Sequence, residues 1–279
     1  MTTAIATSTS PTNKGGASGS RRPAGFADVA RSEWVKLTSV RSTWITLAVT
    51  VLLGVGVGTL ISGLAASRYS TDRQLHQSWD PTSVSFRALV IAQLAVAVLG
   101  TLVITSEYGT GLIRISLAAV PSRRRFLAAK AAVFTAVALV VGEVTAFAAF
   151  LLGQAAIGTS APHATLGQPG VLRAVIGAGL YLAAIGLLAV GIGTLLRNTA
   201  AGISAMVALL FVLPGLVQAL PSSWANAITE WWPTQAGSQV YALQGGAHTL
   251  SAWAGFAVLI AFSAVVFGFA QWMLVRRDA

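Results

Sequence analysis

The 279-residue chain contains no cysteine, so it has neither a disulfide framework nor a thiolate for catalysis or metal binding. Charged residues are also scarce: they make up 9% of the sequence, against about a quarter in an average soluble domain. Apolar residues make up 55%, which leaves too few polar groups to cover a globule of this size. These shortages exclude an ordinary soluble enzyme.

Lysine is rare as well, and its positions bear on nucleotide binding. A P-loop needs Gly-Lys-Ser/Thr, because backbone amides and a lysine together hold the phosphates. None of Lys14, Lys36 and Lys130 follows a glycine, so we expect no nucleotide site and no cofactor in this chain. The three histidines fall in separate loops without a second ligand at metal spacing, and we expect no metal site.

Six long apolar runs dominate the rest of the sequence. A helix needs about 20 apolar residues to cross the hydrocarbon core, whereas a barrel strand alternates over about ten. The predicted fold is therefore an all-α integral membrane protein with six transmembrane helices, preceded by an amphipathic interfacial elbow helix. We place a disordered cytoplasmic tail at 1–23, a membrane domain at 24–279, the elbow helix at 26–42, and spans at about 44–66, 87–106, 127–156, 172–196, 199–220 and 250–275.

The basic residues are distributed unevenly between the two sides of the membrane. If the N-terminus is cytoplasmic, only Arg68, Arg73, Arg87 and Arg173 of the 18 Lys and Arg residues lie outside. Cytoplasmic loops concentrate Lys and Arg, so this distribution predicts a multi-pass protein of the cell membrane with both termini in the cytoplasm. We interpret the net charge of +10 as attraction to anionic membrane lipids, not to nucleic acid.

The segment before span 1 has the pattern of an amphipathic helix. Its apolar stripe includes Val29, Trp34 and Leu37, and basic residues lie beside it. Such a helix lies in the membrane interface. Glu33 falls near the centre of the stripe, where a carboxylate is costly unless it is paired. Two interpretations stand: Glu33 lies at a solvated edge, or it faces a protein partner.

The loop between spans 2 and 3 also predicts a short helix. Thr110 is a candidate N-cap and Pro121 marks the end. The positive-inside rule is sufficient to explain the basic run 123–125, but it does not explain an apolar helix at this place. An exposed apolar face there indicates a docking surface. Its apolar side chains would be Leu112, Ile113, Leu117 and Val120, beside Arg114.

Two short motifs resemble those of the membrane permease subunits of ABC transporters of the ABC-2 type. The first is SEWVKL at 32–37 followed by VRSTW at 40–44, and the second is EYGTG at 107–111 followed by LIR at 112–114. The order of parts over about residues 25–277 resembles that family as well. The chain lacks the long outer domain between spans 1 and 2 that the exporters of macrolides and lipoproteins carry.

The resemblance implies an export permease that pairs with itself or a similar permease. It also implies two copies of a separate ABC ATPase subunit, which would bind ATP and Mg. The helix between spans 2 and 3 would be the coupling helix, which fits a cleft on that subunit. The coupling residues implied are Glu107, Tyr108, Gly109, Thr110, Gly111, Leu112, Ile113 and Arg114, braced by Glu33, Trp34, Lys36 and Arg41 of the elbow helix. The substrate stays open, since relatives carry drugs, lipids, peptides and glycans.

Glu143 is the one ionisable residue well inside a predicted span. An intramembrane carboxylate is a functional hypothesis, because its charged form is costly in hydrocarbon. Counting residues along spans 2 and 3 puts Gln93 at a similar depth, so we expect Glu143 to be water-exposed or paired, with Gln93 as a candidate partner. The alternative is a protonated carboxyl group that only helps helices to pack.

Other function classes have weaker support. A secondary transporter or channel remains the alternative, although it would need ion-coupling charges or broken helices near the midplane. An intramembrane serine protease is disfavoured, because Ser204 and His248 would lie more than ~15 Å apart. In the outer loop at 221–249, Trp224, Trp231 and Trp232 form either an exit lid or an interfacial belt.

Overall fold

The computed structural model describes residues 25–120, 122–246 and 248–276, so the predicted tail at 1–23 lies outside the described residues. Within these ranges every regular element is a helix, and six of the helices are long and apolar enough to cross a membrane. The predicted all-α, six-span class is therefore confirmed. Spans 1 to 6 are Arg41–Arg68, Leu89–Gly109, Arg123–Ile157, Val171–Leu196, Thr199–Val217 and Ala252–Arg276.

The elbow helix is a separate element, but it is shorter than the sequence predicts. It runs over Phe26–Ser39 and ends because Val40 adopts an extended conformation, with φ −89° and ψ 114°. Span 1 begins at the next residue, so the chain changes direction at Val40. The indole of Trp44 in span 1 donates a 2.8 Å hydrogen bond to the carbonyl of Thr38, which fastens the two helices across this bend.

Span 4 is the centre of the bundle. Its apolar window is 78% buried, whereas the windows of spans 1, 5 and 6 are 22% to 28% buried. Small residues make the central packing possible: a side chain at Gly142 of span 3 would meet the carbonyl of Gly179 at 2.9 Å. A side chain at Gly100 of span 2 would meet that of Gly186 at 2.8 Å. Glycine at these positions lets the backbones of neighbouring membrane helices approach closely.

The end of the bundle remote from the elbow helix, the far end, is closed by four short helices and a buried turn. The short helices are Arg73–Gln77, Pro81–Phe86, Ser222–Trp231 and Pro233–Ser238. Arg173 of span 4 holds the turn by donating 2.9 Å hydrogen bonds to the carbonyls of Val240 and Ala242. The ring of Tyr241 then packs edge-on against Tyr181 of span 4.

Span 5 contains an irregular turn just before Pro214. Residues Ala208–Val212 form a π-helical turn, and the helix ends at Val217 rather than at 220. Proline has no N–H, so Pro214 cannot bond the carbonyl five residues earlier in such a turn. The indole of Trp232 donates a 3.1 Å hydrogen bond to that carbonyl, which belongs to Leu209. Trp232 thus ties the far-end helices to span 5, whereas Trp224 and Trp231 are 68% and 61% exposed.

Candidate functional site at the elbow end

The helix between spans 2 and 3, here the basal helix, is Leu112–Ala119. It begins after Gly111, whose φ of 73° lies in the left-handed region that glycine adopts without steric cost. Gly111 is therefore the N-cap, and the prediction of Thr110 as the cap is wrong. Thr110 ends span 2 instead, and its hydroxyl donates a 2.8 Å hydrogen bond to the carbonyl of Ser106. Glu107, Tyr108 and Gly109 form the last turn of span 2.

The basal helix has one buried and one exposed apolar side. Ile113 is only 3% exposed and packs among the bases of the spans, so its predicted place on a docking surface is wrong. Leu112 and Ile115 are 51% and 68% exposed, and Arg114 is exposed as well. We call Leu112, Arg114 and Ile115 the exposed face. Ile115 was missed, although its spacing of three residues from Leu112 puts both on one side of a helix.

Four charged side chains meet beneath this helix, and we call them the ion cluster: Glu33, Lys36, Glu107 and Lys130. Lys130 of span 3 donates hydrogen bonds to Glu33 Oε2 of the elbow helix and, at 2.8 Å, to Glu107 Oε1 of span 2. Lys36 of the elbow helix donates to Glu33 Oε1 at 2.7 Å and to Glu107 Oε1 at 3.3 Å. The cluster therefore joins three separate helices through charged pairs.

The ion cluster is largely removed from water. Glu33, Glu107 and Lys130 are 4%, 8% and 3% exposed, whereas the Lys36 side chain is 42% exposed. A buried charge is very costly unless it is paired, and here two carboxylates balance two ammonium groups. Both ammonium groups also lie over the ring of Phe126, at 5.6 Å for Lys36 and 5.3 Å for Lys130.

Lys36 links the ion cluster to the basal helix. Its ammonium group donates a 3.1 Å hydrogen bond to the hydroxyl of Ser116. Partial burial by itself lowers the pKa of Lys36, but the hydrogen bonds and charges of Glu33 and Glu107 outweigh it and raise the pKa above its usual value. Lys36 therefore stays charged at neutral pH. A displacement of the basal helix would act on the cluster through this side chain.

Neither interpretation of Glu33 survives in its original form. The residue is not at a solvated edge, and the partner that buries it is its own chain, through Lys36 and Lys130. Lys130 was missed because its charge was attributed to the positive-inside rule. Its position inside the apolar run after Phe126 was the available signal. Trp34 and Arg41, which were expected to brace the coupling contact, are exposed and are not part of the cluster.

The two polar residues predicted deeper in the membrane lie apart from the ion cluster. Gln93 accepts a 2.7 Å hydrogen bond from the hydroxyl of Tyr181, so the structure pairs it with span 4 and not with Glu143. The Glu143 carboxylate lies against Gly179. Within the described ranges its buried oxygen Oε2 has no hydrogen-bond partner. A functional role for Glu143 stays a prediction.

An elbow helix, six apolar spans and a basal helix that is hydrogen-bonded to the elbow helix through Ser116 and Lys36 are the architecture of a multi-pass membrane protein. The family model described as ABC-2 family transporter protein matches residues 30–215, from the elbow helix into span 5. The chain therefore belongs to this family, and the predicted resemblance is confirmed. Membership implies an ABC transporter system with an ATPase partner. A search of curated proteins finds no match to the chain.

Proposed function

We propose that the chain is the translocating subunit of an ABC-2 exporter, driven by a separate ATPase subunit that docks on the exposed face of the basal helix. The observation that supports this proposal best is the ion cluster. Buried charged hydrogen bonds from Lys130 join the elbow helix to the bases of spans 2 and 3. Lys36, which is partly exposed, adds a bond to Glu107 and a bond to Ser116 of the basal helix. A displacement of the basal helix would therefore affect the elbow helix and spans 2 and 3 together.

The exposed face has the composition of a protein contact. Leu112 and Ile115 present apolar area, and Arg114, which is also exposed, presents a cation beside Ile115. Interfaces commonly combine an apolar centre with an arginine. The opposite side of the basal helix, at Ile113, is already packed against the bundle, so the helix has one side left for a partner.

The contacts of the ion cluster indicate how movement of the basal helix would reach the membrane-spanning helices. The Lys36 ammonium contacts Glu33, Glu107 and Ser116, and Lys130 contacts the same two carboxylates. Buried charged pairs hold their geometry tightly, because separating them leaves an unpaired charge. Movement of the basal helix on ATP binding is thereby passed to spans 2 and 3, and span 2 lies directly against central span 4.

The assembly would contain two ATPase subunits, with ATP and Mg bound there, and a second permease that is either identical or similar. Spans 1, 5 and 6 support this arrangement, because their apolar windows are mostly not buried within one chain. That surface is available for lipid and for a second permease. The charge asymmetry of the loops supports a cell-membrane location with both termini in the cytoplasm, on the side of the basal helix.

The test is copurification of the tagged chain from native membranes, followed by identification of bound ABC ATPase subunits and measurement of ATP hydrolysis. We expect an ATPase with the wild-type chain and its loss with Leu112→Asp combined with Ile115→Asp, since buried carboxylates would oppose docking. The matched control is Leu112→Ile with Ile115→Leu, which keeps the apolar face. If the aspartate variant inserts normally and retains the ATPase, the proposed docking site is refuted.

A further inference from the structure

The turn between spans 4 and 5 is short, and its first residue has an unusual backbone conformation. Span 4 ends at Leu196 and span 5 begins at Thr199. Arg197 has φ 54° and ψ 12°, in the left-handed region. Within residues 25–120, 122–246 and 248–276 it is the one residue other than glycine with a positive φ. A glycine would adopt this conformation without strain, so the backbone alone does not favour an arginine here.

The side chain of Arg197 gives a reason for arginine at this position. Its guanidinium carbon lies over the ring of Tyr108, 5.3 Å from the ring centroid, and both residues are half-buried. A guanidinium group is attracted to the face of an aromatic ring, and the attraction grows as the pair is removed from water. Tyr108 belongs to the last turn of span 2, three residues before Gly111, where the basal helix begins. Arg197 therefore joins the span 4–5 turn to the segment that leads into the basal helix.

Two further contacts attach the start of span 5 to span 2. The hydroxyl of Thr199 donates a 2.9 Å hydrogen bond to the hydroxyl oxygen of Thr105. About one turn further along span 5, a side chain at Gly202 would meet the methyl group of Thr101 at 2.5 Å, so the two helices are in close contact there. Since the apolar window of span 5 is only 22% buried within this chain, these contacts at its base are among its main attachments to the bundle.

We propose that Arg197 is a positioning residue that makes the base of span 5 follow the base of span 2. This role rests on the proposed function, in which an ATPase displaces the basal helix. Such a displacement moves Tyr108, because only two residues separate it from Gly111, and the guanidinium group carries the movement to the span 4–5 turn. Backbone strain is commonly retained at sites that switch between arrangements. The ion cluster passes the movement to the elbow helix and span 3, and Arg197 adds span 5.

The test uses Arg197→Gly, which removes the guanidinium group and also relieves the backbone strain. We expect its thermal unfolding midpoint to stay close to that of the wild-type chain, because the two effects oppose each other. The readout is the distance between spin labels at Ser204→Cys and Val265→Cys, which are exposed positions of spans 5 and 6 in a chain without other cysteines. In the complex isolated from native membranes, ATP with vanadate should shift this distance, and Arg197→Gly should remove most of the shift.

Variants of Tyr108 and conservative changes separate coupling from general packing. Tyr108→Leu removes the ring and keeps the arginine, so it should lose the same shift; it also covers the case in which Arg197→Gly fails to fold. Arg197→Lys and Tyr108→Phe keep a cation over a ring and should retain most of the shift. In the purified chain without ATPase, Arg197→Gln and Tyr108→Leu should have non-additive effects on the free energy of unfolding, since both remove one contact.

The outcomes distinguish this role from the docking of an ATPase. A full shift in folded Arg197→Gly or Tyr108→Leu would overturn the proposal, and so would additive effects in the purified chain. An unchanged distance in the wild-type complex while its ATPase hydrolyses ATP would also overturn it, and all three results would leave the docking proposal intact. If no ATPase copurifies with the chain, the proposed function fails, and the role of Arg197 in coupling fails with it.

Discussion

Lys130 of span 3 donates a 2.8 Å hydrogen bond to Glu107 of span 2, across the basal helix that separates them in the sequence. The same ammonium group bonds Glu33 of the elbow helix. Lys130 can make both hydrogen bonds only when the elbow helix, span 2 and span 3 are correctly packed against one another. The ion cluster therefore holds these three helices together next to the basal helix. The stability of this region should depend on each member of the ion cluster.

Replacing Lys130 by methionine tests that dependence. The substitution leaves two buried carboxylates with only Lys36 to balance them, and breaking a buried ion pair costs about 3–5 kcal/mol. We expect a clear drop in the thermal unfolding midpoint of the purified protein. Arg124→Met is the control, because it removes an exposed cation from the same helix. Equal midpoints for the two variants would contradict a structural role for the cluster.

The packing around span 4 gives a second prediction. A methyl group at Gly142 would meet the carbonyl of Gly179 at 2.9 Å, and that backbone cannot move aside easily. We expect Gly142→Ala to destabilise the protein by about 1–3 kcal/mol. Gly56→Ala is the matched control in span 1, where nothing lies within 4 Å, and it should be neutral or slightly stabilising. Thermal unfolding of both variants checks the difference, and a neutral Gly142→Ala would count against the observed packing.

Trp232 and Pro214 give a third prediction, which uses a double-mutant cycle. Trp232→Phe removes the indole donor from the Leu209 carbonyl and should cost about 1 kcal/mol. Pro214→Ala supplies a backbone N–H that can bond the same turn, so the loss should shrink in that background. Trp231→Phe, at an exposed position, is the control. Additive effects of Trp232→Phe and Pro214→Ala would mean that the two residues do not share this carbonyl.

Glu143 gives a fourth prediction. Its buried oxygen has no hydrogen-bond partner among the described residues, and an unpaired carboxylate in hydrocarbon is costly. We therefore expect Glu143→Gln, which keeps the shape and removes the charge, to preserve folding and transport. Unfolding midpoints and transport by the assembled system check this. Lost transport at normal stability would show that the charge of Glu143 is used.

The sequence determined the fold class well, because a run of about 20 apolar residues has few alternatives to a membrane-spanning helix. It also named three of the four members of the ion cluster, Glu33, Lys36 and Glu107, but as elbow and coupling residues and not as charges that pair with one another. Lys130 was not recognised as a member, because counting Lys and Arg on each side of the membrane does not distinguish a buried, paired lysine from an exposed one. Only the fold brings residue 130 to residue 33, which lies 97 positions away in the chain.

The details of the basal helix were harder to predict. Leu112, Ile113 and Ile115 are equally apolar, and their sequence does not say which side packs on the bundle. The rotation of the helix follows from Gly111, whose left-handed conformation sets the direction in which the helix leaves span 2. Similarly, the hydrogen bond from Trp232 to the carbonyl of Leu209 depends on a π-helical turn, and no pattern of residues in span 5 predicts such a turn.

The absence of cysteine allows the most direct test of the central claim. Ile115→Cys would carry the only thiol in the chain, and a thiol- and amine-reactive cross-linker would report what lies within reach of the exposed face. Ser223→Cys, an exposed position at the far end, is the control. The account predicts that position 115 cross-links to an ABC ATPase subunit in native membranes and that position 223 does not. A cysteine at 115 that is labelled by soluble reagents but never joined to an ATPase, with or without ATP, would contradict it.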